Sequence, residues 1–533
     1  MKIKINRATL SRVCIGLILF VVIIIPIVRM LLYIKVESFE KIFTSGEFYT
    51  ALLNSLASTI AATICSVVIA YLLALCLKRT SIKFKGIFNI VLILPMLIPS
   101  ISHGMGLIVL FGNNGLLTNF LGIKSSIYGF TGILLGSILY SFPVAFLMFT
   151  DVLNYEDNTQ HEMAKVLGFS KIRHFTAISF PYLKKPLISI IFATFTMIIT
   201  DYGVPLSVGG QFKTLPVMLY ENAAGQLDYS SGSVIGLVLL IPAIAAFLID
   251  FLNKDKGNST YVATRYIENK NTVRDVVSYI FCTLVSMFVL MVIVSFCVQA
   301  FARSYPFDMS VTFDNIQKTF QKNGGKYLVN SIIIAFLTAI IGTGIAFLTA
   351  YLSARMKNRT SRFLHLMAIT SMAVPGLVLG LSYVILFKGS FIYGTIVILI
   401  MVNMVHFFAS PYLMMYNAMN KMNENLEDVG HILGINRMHM IKDVVIPLSK
   451  GTLLEMFSYF FVNSMMTISA VAFLSTSQNK PLALLINQFE TYNMMECAAV
   501  VALMILTVNI MIKVVIYGIK KIGEKQNVNK KAI

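Results

Sequence analysis

Two stretches decide how this chain reads. The first is Glu162-Met163-Ala164-Lys165-Val166-Leu167-Gly168, closed by Ile178-Ser179-Phe180-Pro181. The second is Asp428-Val429-Gly430-His431-Ile432-Leu433-Gly434, closed by Val444-Val445-Ile446-Pro447. In both, the glycine stands six residues after the acid and the proline nineteen after it. An acid followed by small residues predicts a short helix with a smooth face. The glycine permits the left-handed turn that ends it. The chain is expected to reverse into a second short helix, with the proline near the start of the next apolar block, where a missing N–H costs nothing.

Around these stretches the sequence is strongly apolar: 57% hydrophobic and 13% charged over 533 residues. A soluble protein of this size carries about a quarter charged residues. The apolar residues fall in blocks of about 20, the length that crosses a bilayer core. Twelve blocks are expected to span: 13–34, 52–77, 86–111, 128–151, 186–206, 233–253, 275–301, 329–353, 364–388, 391–416, 450–475 and 495–518. With no water to satisfy backbone groups, each is expected to be helical. The fold class is therefore an all-α integral membrane protein. The first block, preceded by Lys2, Lys4, Arg7 and Arg12, is too long for a signal-peptide core and lacks a small-x-small cleavage site.

The net charge of +19 would suggest nucleic acid in a soluble protein. Here the basic residues sit between blocks, on alternate sides. Lys78, Arg79, Lys83 and Lys85, then Lys171, Arg173, Lys184 and Lys185, then Lys254, Lys256 and Arg265, then Arg355, Lys357, Arg359 and Arg362, and finally Lys520 to Lys531 all fall on one face if the N-terminus is cytoplasmic. Both termini are then cytoplasmic, and no nucleic-acid partner is implied.

The two halves repeat. Asn54-Ser55, the run from Ile69 to Ala74, Pro99 and Gly104 recur 276 residues later as Asn330-Ser331, Ile345 to Ala350, Pro375 and Gly380. Ile127-Tyr128-Gly129 recurs as Ile392-Tyr393-Gly394. Six blocks per half is an even number, so both halves enter in the same sense. The expectation is two parallel six-helix repeats, 1–270 and 271–533, with the paired loops at 155–181 and 421–447.

These loops resemble the EAA loop of ABC importer permeases, in which an acid, two small residues and a glycine six after the acid precede an I-x-L-P close. The resemblance implies a type I importer permease fold. By it, Glu162, Ala164, Gly168 and Pro181, and Asp428, Gly430, Gly434 and Pro447, would contact an ATPase. Asp428 stands for the usual Glu, and Val429 and Gly430 replace both alanines, so the second loop is the weaker match. No Gly-x-x-x-x-Gly-Lys-[Ser/Thr] loop occurs, so the resemblance implies a separate cytoplasmic ATPase dimer and an extracytoplasmic solute-binding protein. One fused chain would serve a whole transporter in the cell membrane, with no cofactor and no catalytic residue.

Thr200-Asp201-Tyr202-Gly203-Val204-Pro205, with Gly209-Gly210, is similar to the fused permeases assigned to 2-aminoethylphosphonate uptake. Phe461-Val462-Asn463-Ser464 and Thr467-Ile468-Ser469-Ala470-Val471 resemble the matching segment of that family's second half. Fused ferric-iron permeases share the architecture. Asp201, Tyr202, Asn463, Ser464 and Thr467 are candidates for the translocation path, set against a turn-capping role for Asp201 and interhelical hydrogen bonding for the rest. Asn463 and Thr467 are expected on one face of one helix. His103 and His406 read as packing residues, and the scattered methionines and six cysteines form no metal-ligand pattern. An ion-driven secondary transporter would need more intramembrane carboxylates or arginines and no matched loops. A membrane enzyme would need paired acids, a nucleophile–base pair or a metal cluster.

Overall fold

The computed structural model describes residues 7–122, 126–253, 271–356, 358–423 and 425–531. Among them, the long apolar helices are Leu10–Leu32, Gly46–Arg79, Ser100–Leu121, Phe130–Asn154, Ile172–Ile199, Tyr229–Asn253, Thr272–Phe301, Gly324–Ala354, Arg437–Met466 and Met495–Gly523. Two bent pairs, Arg359–Ala373 with Gly376–Phe387 and Ile396–His406 with Ala409–Asn420, bring the spans to twelve. They are numbered span one to span twelve in chain order. The only strands among the described residues are the short antiparallel pair Ala302–Ser304 and Asp308–Val311. Lys2, Lys4, Lys254, Lys256, Arg265 and Lys357 lie outside the described residues.

The matched prolines mark the breaks. Span three is preceded by the shorter apolar helix Lys85–Leu97, and span nine turns by 105° between its two pieces. Pro99 and Pro375 stand at the joints, and the residues before them, Ile98 and Val374, are extended. A residue before proline is pushed out of the helical region, so the helix stops there. Beyond the joints the chain packs closely. A Cβ on Gly104 would lie 2.8 Å from the Ser207 Cβ, and one on Gly380 would lie 2.7 Å from the Ala470 carbonyl oxygen.

Spans five and eleven begin earlier than hydropathy places them. The expected blocks 186–206 and 450–475 are found as Ile172–Ile199 and Arg437–Met466. The second short helix of each loop does not stop before its proline; it runs straight into the span. Pro181 and Pro447 are tolerated because a π-helical turn, Phe175–Ser179 or Ile441–Val445, precedes each one. The wider turn shifts the hydrogen-bond register around the missing N–H. Polar loop residues at the helix entry hide this first turn from a hydropathy window.

The halves exchange their first spans. Span one packs on span nine of the second half: the Tyr383 hydroxyl donates to the Val22 carbonyl at 2.7 Å, and Arg12 donates to Thr360 at 3.0 Å. Span seven packs on the third span of the first half. Its Tyr279 ring meets Phe88 at 5.7 Å, and its Val292 fills the space a Gly106 side chain would need. The two repeats therefore interlock in packing.

The repeated Asn-Ser pair has one job in both halves. Asn54 donates its amide to the Lys213 carbonyl (3.0 Å), and the Ser55 hydroxyl accepts the Leu215 N–H (2.7 Å). Asn330 donates to the Gln478 carbonyl (2.9 Å), and Ser331 accepts the Leu482 N–H (2.7 Å). Each pair, inside a long helix, satisfies the backbone of an irregular segment lying after span five or span eleven. Replacing Ser55 or Ser331 by alanine strands a buried N–H at a cost of about 1–3 kcal/mol. The thermal midpoint of the detergent-solubilised chain should fall for each variant, and midpoints unchanged in both would show that the N–H groups have other partners.

Candidate functional site

The short helix of the first loop is Asn158–Val166 and that of the second is Leu426–Ile432. Each ends as the glycine pattern predicts: Gly168 and Gly434 have φ of +65° and +70°. The N–H of Phe169 returns to the Ala164 carbonyl (3.0 Å), and that of Ile435 returns to the Gly430 carbonyl (2.8 Å). This six-to-one bond satisfies a carbonyl that the helix end would orphan.

Ala164 and Gly430 are buried at equivalent positions; on the returning helix His174 is half-buried and its equivalent Met440 is buried. A Cβ at Gly430 would sit 2.1 Å from the Met440 Cε. That contact is with the far end of a flexible side chain, so an alanine at 430 would require Met440 to move aside.

The outer face of each loop is apolar and exposed. Met163, Val166, Leu167 and Ile172 in the first loop are matched by Val429, Ile432, Leu433 and Met438 in the second. Val166 and Ile432 are 88% and 83% exposed. The two patches are matched position for position between the halves. Glu162 and Asp428 lie exposed beside them; Asn158 donates to Glu162 at 2.8 Å. Pro181 and Pro447 lie at the roots, each just after the π-helical turn and more than two turns into its span.

Behind the loops lie ion pairs that residue-type matching alone did not single out. Arg79 pairs with Glu156, and Glu156 accepts a hydrogen bond from His161 at 2.7 Å. The other ring nitrogen of His161 meets His174 at 3.1 Å. Burial opposes ionisation of Glu156, but the His161 hydrogen bond and the Arg79 charge outweigh it and hold the carboxyl below its ordinary range. In the second loop Arg355 grips Glu427. The signal was available: Arg79 and Arg355 share the 276-residue offset of the repeat, but the positive-inside pattern absorbed them.

Of the other candidate residues, Tyr202 makes a contact between the halves. The Tyr202 hydroxyl donates to the Ile468 carbonyl across the interface (3.2 Å), and its ring stacks on Tyr220 at 5.1 Å. Tyr220 faces Phe473 and accepts a hydrogen bond from Asn487 of the second half. Asp201 accepts the Val204 N–H at 3.0 Å and so caps the helix Gly203–Val208. In the second half, residues 469–474 are turns. Asn463 donates to the Tyr459 carbonyl of its own helix (2.8 Å), and Ser464 is buried. Thr467 does not continue that helical face: the helix ends at Met466, and Thr467 is its extended cap. His103 is buried against the Ser100 carbonyl and the Tyr140 ring, and His406 is half-buried beside Phe407.

Comparison with known proteins accords with this geometry. The family described as "Binding-protein-dependent transport system inner membrane component" matches residues 66–256 and 342–521. The Actinobacillus pleuropneumoniae ferric transport system permease protein FbpB is 26% identical over 463 residues, 83% of this chain and 67% of that protein. A Haemophilus influenzae ferric transport permease, FbpB 1, is 26% identical over 88% of this chain and 78% of its own length. The molybdate/tungstate permease WtpB of Methanocaldococcus jannaschii is 31% identical over 38% of this chain and 79% of its own. Each of the two matched regions contains one loop, its ion pair and the spans that carry them, so the chain belongs to the binding-protein-dependent permease family of ABC importers and holds the family domain twice.

Proposed function

We propose that 1–270 and 271–533 act as the two permease halves of one importer, whose paired loops dock into two copies of a cytoplasmic ATPase. The observation that carries this is the matched apolar face of the two loops, each set on a left-handed glycine turn and held from behind by an arginine–glutamate pair. A solute-binding protein delivers cargo at the opposite face. Closure of the ATPase dimer draws the loops together and switches the inter-half interface at Tyr202, Tyr220 and Ile468 between its two sides. Glu162, Ala164, Gly168 and Pro181, with Asp428, Gly430, Gly434 and Pro447, form the coupling elements. Asp201, Tyr202, Asn463, Ser464 and Thr467 act at or beside the path, chiefly by fixing its shape. Both termini lie in the cytoplasm of a cell whose inner or plasma membrane holds the chain.

Ferric iron is the cargo with the broadest support, since relatives named for ferric transport align over 83% and 88% of the chain. A phosphonate such as 2-aminoethylphosphonate is the second reading; it rests on the Thr200–Pro205 segment and its partner at 461–471. Melting of the solute-binding protein encoded beside this chain separates the two. A raised midpoint with ferric complexes alone supports iron, one with aminoethylphosphonate alone supports phosphonate, and no shift with either removes both.

Proline cannot adopt the positive φ of Gly168 or Gly434, and at 168 it would also delete the N–H donated to the Lys165 carbonyl. The Gly168→Pro/Gly434→Pro double variant should reach the membrane and lose ATP-driven uptake in reconstituted vesicles. Normal uptake by that variant would remove the coupling role of both loops.

A further inference from the structure

Arg79 and Arg355 are one residue of the repeat seen twice, at the loop ends of spans two and eight. An arginine there is ordinarily read as a solvated orientation signal. These two are not solvated: their side chains are only 12% and 4% exposed. Arg355 binds both carboxylate oxygens of Glu427, which lies on the short loop helix itself. It also donates to the Met422 carbonyl (3.0 Å) and the Asn423 carbonyl (2.6 Å), on the segment leading into that helix. One side chain thus fastens the loop to the end of span eight.

In the first half the position of Glu427 is occupied by His161. The tie survives with one more link, since His161 binds Glu156 and Glu156 binds Arg79. Positions 79 and 161, and positions 355 and 427, are therefore joined in both halves by different chemistry. A connection kept while its parts change is what a mechanical requirement on these positions would leave.

The far part of each span is fastened too. Asn54 and Ser55, twenty-five residues before Arg79, hold Lys213 and Leu215; Asn330 and Ser331, twenty-five before Arg355, hold Lys480 and Leu482. The held segments continue into the helices Leu215–Tyr220 and Ala483–Thr491, which supply Tyr220 and Asn487 to the inter-half contact. Twenty-five helical residues measure about 38 Å. Each span is a single unbroken helix between its two fastenings.

We propose that Arg79 and Arg355 are positioning residues that turn spans two and eight into push-rods, carrying loop displacement to the inter-half contact through the Asn-Ser pairs. The proposal rests on the coupling-loop reading above. A rigid element fastened at both ends is a physical route for coupling, whereas nearness alone is not.

The test reconstitutes the full chain with its ATPase and binding protein and measures ATPase co-purification, stimulated ATP hydrolysis and uptake. Arg355→Gln should keep co-purification and hydrolysis while uptake per ATP falls about tenfold, within the range that residues on a coupling route can change. Arg355→Lys, which keeps the charge but not the fork, should recover much of that ratio. Combining Arg355→Gln with Asn330→Ala should be little worse than the more severe single change, because both cut one route. Loss of ATPase binding in Arg355→Gln together with Arg355→Lys would overturn the proposal, showing that the arginine only shapes the loop. An unchanged uptake ratio in Arg355→Gln and Arg79→Gln, with the Gly168→Pro/Gly434→Pro variant inactive, would overturn it and leave the loop reading standing. Full transport by the double-proline variant would instead remove the loop reading. If Arg355→Gln does not accumulate, Arg355→Lys and Asn330→Ala carry the decision: full uptake per ATP in both overturns the proposal.

Discussion

Lipid cannot hydrogen-bond a peptide group, so every interruption of a helix inside the membrane must be satisfied by the protein. This chain interrupts its helices repeatedly: at Pro99 and Pro375, after span five and after span eleven. Its irregular segments are placed where another helix offers polar side chains. Asn54 and Ser55 serve the first half and Asn330 and Ser331 the second, with distances that agree to about a tenth of an ångström. A span broken for function thus depends on a neighbouring span left unbroken. The long, straight second helix of each half follows from the irregularity of its partners.

The same division governs the loops. Their backbone geometry is conserved between the halves: a short helix, a positive-φ glycine, a six-to-one hydrogen bond and a π turn before a proline. Their side chains are not. Ala164 with His174 becomes Gly430 with Met440, and a direct Arg355–Glu427 pair stands where Arg79, Glu156 and His161 form a chain. Breaking a buried ion pair by removing one partner leaves an uncompensated charge, typically worth 3–5 kcal/mol in soluble hosts. That penalty makes it hard to change one partner alone.

What the sequence made legible follows physical range. Span number, repeat and loop geometry depend on local composition and backbone rules, and the apolar blocks, the 276-residue offset and the glycine positions were enough to read them. The entries to spans five and eleven were misjudged because their first turns are polar and exposed, which a hydropathy window discards. Thr467 was placed on a helix that ends one residue earlier, because nothing local distinguishes a cap from a continuing turn at Met466-Thr467-Ile468. The exchange of spans one and seven, and the Arg355–Glu427 pair across 72 residues, depend on tertiary neighbours that no periodicity reports. Only the recurrence of Arg79 and Arg355 at the repeat offset carried a hint of their partnership.

The exchange bears on why both halves lie on one chain. Span one rests on span nine through Tyr383 and Val22, and span seven rests on the third span through Phe88 and Tyr279. Each half therefore completes its bundle with a helix belonging to the other. Separate subunits would have to find this arrangement by association, losing translational and rotational freedom and exposing two unpartnered helix faces to the wrong neighbours until they did. A single chain removes the encounter, and its two loops need not be alike. A homodimer must present two identical loops, whereas a fused chain can tie one through a histidine and the other directly to an arginine, as this one does. The chemical difference between the loops is therefore one that fusion permits and that separate identical subunits could not hold.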